Sequence, residues 1–199
     1  YADWIGGWED SLTYYVSFER DFSQATGMDT TDLWFSAYYQ DSESEEDKLA
    51  KGIEYAFAFV SRWANGPWTL PTTLGIGDNG SQSNLEQAGG LWGAVMMPMY
   101  WLVEEEQKLV FRYQYQSSEQ GQGIQMNNRY ARMAAAEDTQ ININSSRGDE
   151  HHSLYLGYNY YLHGENLKLV TGIQWDELSS EGNVSFRGWT VGAGIRFLL

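Results

Sequence analysis

Basic and amide side chains recur at alternate positions in three segments of the chain, with the period of two that puts residues on one face of a β-strand. Such groups can replace part of the hydration shell of an ion or a small polar solute. Two arginines in a long polar stretch are spaced to share one face of a short helix within 129–136. The residues with this potential are Arg112, Gln114, Arg129, Arg132, Lys168, Gln174 and Arg196.

Histidine and carboxylate clusters suggest other chemistry, but their spacing argues against it. His151 and His152 are adjacent, so in a strand they point to opposite faces and cannot ligate one metal without a bend. His151 and Ser153 share a face, as a base and a nucleophile would, but no third residue that orients the base is identifiable. The glutamates at 104–106 could act as a carboxylate pair or as Ca²⁺ ligands, but such residues in a tight turn beside aromatic side chains more often form a solvated rim. We therefore expect no catalysis, metal or cofactor.

The elements that must position these residues are strands with one apolar face and one polar or small face. In the segment 151–162, Leu154, Leu156 and Tyr158 oppose Tyr155 and Gly157. Segment 90–102 is apolar on both faces, so its orientation stays open, and residues 1–10 have the composition of a loop. The nine predicted strands are 11–20, 32–40, 52–61, 67–76, 90–102, 108–116, 151–162, 167–176 and 188–199.

The length and aromatic content of these segments favour strands that cross a bilayer. A tilted transmembrane strand needs ~9–11 residues, and aromatic residues mark the two membrane interfaces. No segment approaches the ~20 apolar residues of a transmembrane helix. The aromatic residues predicted to form a girdle beside the short turns are Trp63, Trp68, Tyr100, Trp101, Tyr160 and Tyr161.

The connections between the predicted strands alternate between short and long. The exception is 21–31, which is long although its place in the order calls for a short connection. Short turns at one end and long loops at the other are typical of an outer-membrane β-barrel. The longest connection either folds into a pore and narrows it or forms a solvated loop. The short connections are 62–66, 103–107 and 163–166, and the long ones are 41–51, 77–89, 117–150 and 176–185.

The fold predicted from these patterns is a single all-β domain over 1–199, a transmembrane antiparallel up-and-down β-barrel. Bacterial single-chain barrels have even strand numbers, so nine strands predict the C-terminal part of a larger barrel. The alternative omits one doubtful strand and gives a closed eight-stranded barrel. Pro71 and Pro98 lie inside predicted strands and imply bulges or a wall shielded by a neighbouring subunit.

Composition excludes two classes of protein. The net charge is −15 with only 12 lysines and arginines, whereas a nucleic-acid partner needs a basic surface. The chain has no cysteine, which excludes disulfide cross-links and thiolate chemistry.

From about residue 90 onward, the chain resembles the phosphate-selective porin O and P family of bacterial outer membranes. The segments that carry the resemblance are MPMYW at 97–101, KLVFRY at 108–113, RGDEHHSLYLGYNYY at 147–161 and LKLVTG at 167–172. The resemblance implies a sixteen-stranded, trimeric porin, of which this chain supplies roughly the last half. That family takes its selectivity from basic residues lining the pore. Such residues are sparse here, so we transfer the porin function and not the phosphate specificity.

The sequence thus predicts a passive diffusion channel for small hydrophilic solutes or ions. Its partners would be the lipid of a Gram-negative-type outer membrane, those solutes and two further copies of the chain. One alternative is a structural barrel that anchors a partner or surface layer through its extracellular loops. Another is a soluble β-sandwich that binds carbohydrate through exposed tryptophans.

Overall fold

The computed structural model describes residues 2–6, 12–41, 53–80, 85–126, 147–164 and 166–197, and these are almost entirely β-structure. The helical elements are α1, Ser23–Thr26, and a 3-10 turn at Leu85–Gln87. The strands are β1 Ala2–Gly6, β2 Leu12–Asp21, β3 Thr30–Asp41, β4 Tyr55–Asn65, β5 Trp68–Asp78, β6 Gly90–Met96, β7 Met99–Val103, β8 Gln107–Ser118, β9 Ile124–Gln125, β10 Arg147–Gly148, β11 Glu150–His163, β12 Leu167–Ser180 and β13 Asn183–Phe197.

Eleven of the thirteen described strands form one antiparallel up-and-down sheet, as the sequence predicted. Its order is β1-β2-β3-β4-β5-β6-β8-β11-β12-β13, with β7 continuing the path of β6 between β5 and β8. Among the described residues, strands β9 and β10 pair only with each other, in a separate two-stranded ribbon. In the described chain, β1 and β13 are the two edges of the sheet. None of the described helices has the length and apolar character needed to cross a membrane.

Cross-strand pairing keeps one apolar face continuous from β2 to β13. Phe111 stands opposite Leu156, which stands opposite Ile173, which stands opposite Val191. The same alternation settles the facing of β6, because Trp92 pairs with Ile76 on this face. We call this surface the apolar face and the opposite one the polar face.

The predicted strand 90–102 is interrupted at Met97 and Pro98 but keeps its direction and register. Met96 pairs with Tyr113 before the interruption and Met99 pairs with Val110 after it, so no residue is gained or lost across the break. Backbone hydrogen bonds also survive there: Met97 N donates to Pro71 O, and Phe111 N donates to Pro98 O, both at 3.0 Å. Each proline therefore removes only its own N–H from the ladder.

Two predictions about connections were wrong. Residues 2–6, expected within a loop, form β1 and pair with β2. The expected long loop 176–185 is mostly strand, because β12 runs on to Ser180 and β13 begins at Asn183. The intervening turn is Glu181-Gly182, with φ of 51° and 75°, the left-handed pair that closes a two-residue hairpin. The alternation of short and long connections therefore fails at this hairpin.

The other long connections are described only in part. Residues 42–52 and 81–84 lie outside the described residues, as do 127–146, including the helix expected at 129–136. The connection 21–31 was the exception to the predicted alternation, because it is long although it lies on the short-turn side. It contains α1. Its N-terminal turn is tied down by Asp21, whose carboxylate accepts hydrogen bonds from the backbone N–H and the hydroxyl of Ser23.

In the β12–β13 hairpin, the effect of a glycine-to-alanine substitution on the free energy of unfolding should depend on its position. Gly182 has a positive φ, so Gly182→Ala should lower the free energy of unfolding by about 1–2 kcal/mol, measured by urea titration. Gly192, in the extended part of β13, has open space where a Cβ would stand. Gly192→Ala should cost nothing, and equal losses in the two variants would contradict the hairpin geometry.

Candidate functional site

The polar face collects all five candidate residues that lie in the described chain: Arg112, Gln114, Lys168, Gln174 and Arg196. Lys168 stands directly opposite Arg196 across the β12–β13 pair. The other two candidates, Arg129 and Arg132, lie outside the described residues. Alternation within each strand thus placed the candidates on one face, and the order of the strands makes that face continuous.

A chain of hydrogen bonds crosses the polar face from β8 through β11 to β12. Arg112 donates to Gln174 Oε1 over 2.8 Å, and Gln174 Nε2 donates to Asp176 Oδ2 over 2.8 Å. His151 lies between the other Asp176 oxygen, 3.2 Å from its Nε2, and Gln116 Oε1, 3.0 Å from its Nδ1. Both His151 and Asp176 are buried. The chain gives partners to groups whose burial would otherwise be costly.

This chain also accounts for the positions of the histidines. Both ring nitrogens of His151 already face oxygen atoms, so neither is left as a base for Ser153. His152 lies on the apolar face, where its Nδ1 is 2.9 Å from the Tyr113 hydroxyl. The two histidines therefore cannot share a metal, and no group of three or more His, Asp or Glu side chains within the described ranges could hold one.

Tyr155 is folded flat against the sheet and makes room on the polar face. A Cβ added at Gly157 or Gly172 would stand about 2.3–2.5 Å from the Tyr155 ring, so both positions need glycine. The Arg112 guanidinium lies 5.4 Å from the centre of the same ring. The Arg112 side chain thereby crosses β11 and reaches Gln174 on β12.

Lysines and aromatic rings meet on the polar face near the short turns. Lys108 Nζ is 3.7 Å from the centre of the Trp101 ring, and Lys168 Nζ is 4.9 Å from that of Tyr161. The two rings are 5.0 Å apart. The prediction that Trp101 and Tyr161 belong to an outer girdle is wrong, because their strand positions place them on the polar face with the lysines. Each cation–π contact of this kind contributes about 0.5–2 kcal/mol.

Three residues of this face were not among the candidates taken from the sequence, although the alternation along the strands places them there. Lys108 and Gln116 continue the alternation of Arg112, and Asp176 continues that of Gln174. The polar face of β8, β11, β12 and β13 carries four basic side chains, at Lys108, Arg112, Lys168 and Arg196, and one carboxylate, at Asp176. This half of the face is basic although the chain as a whole is acidic.

Residues 119–126, which we call the roof segment, fold over the polar face near the long loops. Ile124 and Met126 pack against Leu178 and Phe186, and all four side chains are buried. The segment continues into β9, which pairs with β10. This part of the 117–150 connection covers the polar face.

Hydrogen bonds hold the roof segment to β10, to β12 and to the 3-10 turn, where Gln122 N donates to Glu86 O over 2.9 Å. Arg147 donates to Gln122 O over 3.0 Å and to Gln125 Oε1 over 3.3 Å, and burial lowers the pKa of its guanidinium. Ser180 Oγ donates to Gly121 O over 2.8 Å. β10 lies so close to β12 that a Cβ at Gly148 would stand 2.2 Å from the Ser179 carbonyl oxygen.

A hollow of about 420 Å³ lies beneath the roof segment, on the polar face of β4, β5, β6 and β8. Its base is a row of small residues in register, Ala58, Gly75 and Gly93. Gln116 is next in that row and is held by His151. The hollow and the hydrogen-bond chain are therefore neighbours on one surface.

Comparison with known proteins gave no match: a scan against models of protein families, a search of curated proteins and a search of solved structures each found none.

The anchoring role of Arg147 can be measured by amide hydrogen exchange. Arg147→Met removes two hydrogen bonds to the roof segment, so exchange in 121–125 should become on the order of tenfold faster. Arg187, which pairs with Glu177 on the apolar face, provides the matched control. Unchanged exchange in Arg147→Met, or an equal effect of Arg187→Met, would contradict the assignment.

Proposed function

We propose that this chain is part of an outer-membrane porin, a passive channel for small hydrophilic solutes or ions. In this proposal the apolar face contacts lipid and the polar face lines a water-filled passage. The roof segment narrows that passage from the long-loop side. No catalytic step and no cofactor form part of the proposal.

The observation that carries the proposal is the inverted distribution of side chains. Large hydrophobic residues along the apolar face are exposed, among them Phe18 at 56%, Ile76 at 56%, Leu156 at 54% and Val191 at 78%. Soluble monomers rarely expose contiguous apolar patches larger than a few hundred Å². Each side chain of this size gains about 1.5–3 kcal/mol on leaving water, so hydrocarbon is the environment that suits this face.

The distribution of buried side chains supports the same assignment of the two faces. Most of the buried polar side chains lie on the polar face, among them Thr13, Gln40, Ser153 and Asp176. Thr31 and Ser61 are buried on the apolar face, where their hydroxyls pair with those of Thr26 and Thr72. Few apolar side chains are buried among the described residues. They either pack in the cluster beneath the roof segment or lie on the polar face toward the short turns. They are Val110, Ile124, Met126, Tyr161, Leu178 and Phe186.

Aromatic pairs lie at both ends of the apolar face, as interfacial girdles do in transmembrane barrels. Trp68 and Tyr100, with ring centres 4.6 Å apart, lie near the short turns. Trp92 and Tyr115, 4.8 Å apart, lie near the long loops. The ion pair of Glu177 and Arg187 on this face lies at the same end, in the cross-strand row that contains Tyr115.

A membrane barrel also needs a closed sheet, because hydrocarbon offers no partner to unpaired backbone groups. Both edges of the described sheet, β1 and β13, would therefore pair in the membrane, either with each other or through further strands. The sixteen-stranded trimer implied by the resemblance satisfies this requirement. Contact between subunits would cover part of the apolar face.

The proposal is tested by charge reversal on the two faces. Arg112→Glu reverses a charge on the polar face and should raise the cation-to-anion permeability ratio by about twofold or more, since a unit charge a few ångströms from an ion in water is worth ~1 kcal/mol. The measurement is the reversal potential of single channels in planar bilayers under a salt gradient.

Arg187→Glu changes the same charge on the apolar face and should leave the ratio unchanged. Equal shifts in both variants would contradict the assignment of the faces. Folded, detergent-extracted protein that forms no conducting channel would contradict the channel itself and favour the structural barrel.

A further inference from the structure

The hollow beneath the roof segment has the size of a ligand site. Its volume of about 420 Å³ falls within the range of small-molecule sites, roughly 300–1,000 Å³. The sheet forms its base, and Gly123, Ile124 and Gln125 of the roof segment lie on its other side. Ile124 also packs in the buried cluster with Leu178, so the roof is held in place by apolar contacts as well as by Arg147.

Every described residue that lines the hollow is uncharged. An ionised ligand that gives up part of its hydration there would meet no opposite charge among these residues, which is unfavourable. The basic residues Lys108, Arg112 and Lys168 do not line it. This part of the polar face therefore discriminates against ions, although the neighbouring part is basic.

Polar groups at the margin of the hollow are amides and hydroxyls. Thr73 and Gln114 line it on one side, Gln125 lies in the roof, and Gln116 is held at its edge by the 3.0 Å contact with His151. Amides donate and accept, so they complement the hydroxyls of a neutral solute. The small residues of the base leave a flat apolar floor on which one face of a ring can lie.

From this lining we infer that the hollow binds a neutral, hydroxyl-bearing, ring-containing solute of about the size of a phenyl glycoside. This inference deepens the proposed function by naming a solute class. Binding itself requires no conduction, so the two can fail separately.

A second hollow provides the internal control. It measures about 320 Å³ and lies over β12 and β13, lined by Tyr155, Gly172, Gly192 and Gly194 among others. None of the roof segment lines it. A substitution there changes the same face of the sheet without touching the roofed hollow.

The charge requirement is tested on the native protein in detergent micelles by isothermal titration calorimetry. The probes are phenyl β-D-glucoside and phenyl β-D-glucuronide, which differ by one carboxylate. The glucoside should bind, and the glucuronide should bind about tenfold more weakly or worse because its charge would be unpaired. Equal binding of the two probes, tighter binding of the glucuronide or no binding of the glucoside would overturn the inference.

The location is tested by filling the hollow. At Gly75 a Cβ would meet Phe57 O at 3.9 Å, an ordinary contact, so Gly75→Leu should fold and weaken glucoside binding by about tenfold or more. Ala58→Leu fills the same space from the neighbouring strand and serves if the first variant does not fold. Gly192→Leu, in the second hollow, should keep the native affinity. Unchanged binding in a folded filling variant, or equal losses in the control, would overturn the inference.

Outcomes for binding and conduction separate the two proposals. Glucoside binding by a protein that forms no channel would leave the site standing and contradict the porin. Ion conduction without glucoside binding would leave the porin standing and contradict the site.

Discussion

Register between strands is the constraint on which the rest of this structure depends. Side chains alternate with a period of two, so a slip of one residue would move every apolar side chain of a strand to the opposite face. The pairing instead holds Phe111, Leu156, Ile173 and Val191 on one face across four strands. It holds even across Pro98, where the ladder loses an N–H but no residue. A continuous apolar face follows, and with it the pairing of polar groups on the other face.

Polar groups on the opposite face hold one another in place. Because Asp176 is buried, its carboxylate needs partners, and His151 and Gln174 supply them. His151 in turn orients Gln116 at the margin of the roofed hollow, while Gln174 receives Arg112. The same strand register thus positions basic groups, amides and a neutral hollow side by side. A passage lined in this way would meet solutes with chemically distinct regions.

Much of the fold could be predicted from the sequence, because alternation is a local property. Within the described residues, each of the nine predicted strand segments overlaps a strand, and the five described candidates share one face. What could not be predicted depends on contacts between distant residues. The loop expected at 176–185 looked polar, yet pairs such as Leu178 with Phe186 extend both strands to a two-residue turn. Likewise, Trp101 and Tyr161 looked like girdle residues until pairing placed them beside lysines. The roof and its hollow depend on residues 119–126, which have no periodic pattern.

Site-directed spin labelling along β8 tests the central claim, that one face meets hydrocarbon and the other meets water. The chain contains no cysteine, so single cysteines can be placed at each position of 109–114 without background labelling. In proteoliposomes, collision with oxygen should peak at Leu109, Phe111 and Tyr113. Collision with a water-soluble nickel complex should peak at Arg112 and Gln114. Equal access of the nickel complex to both sets, or no alternation along the strand, would contradict the account.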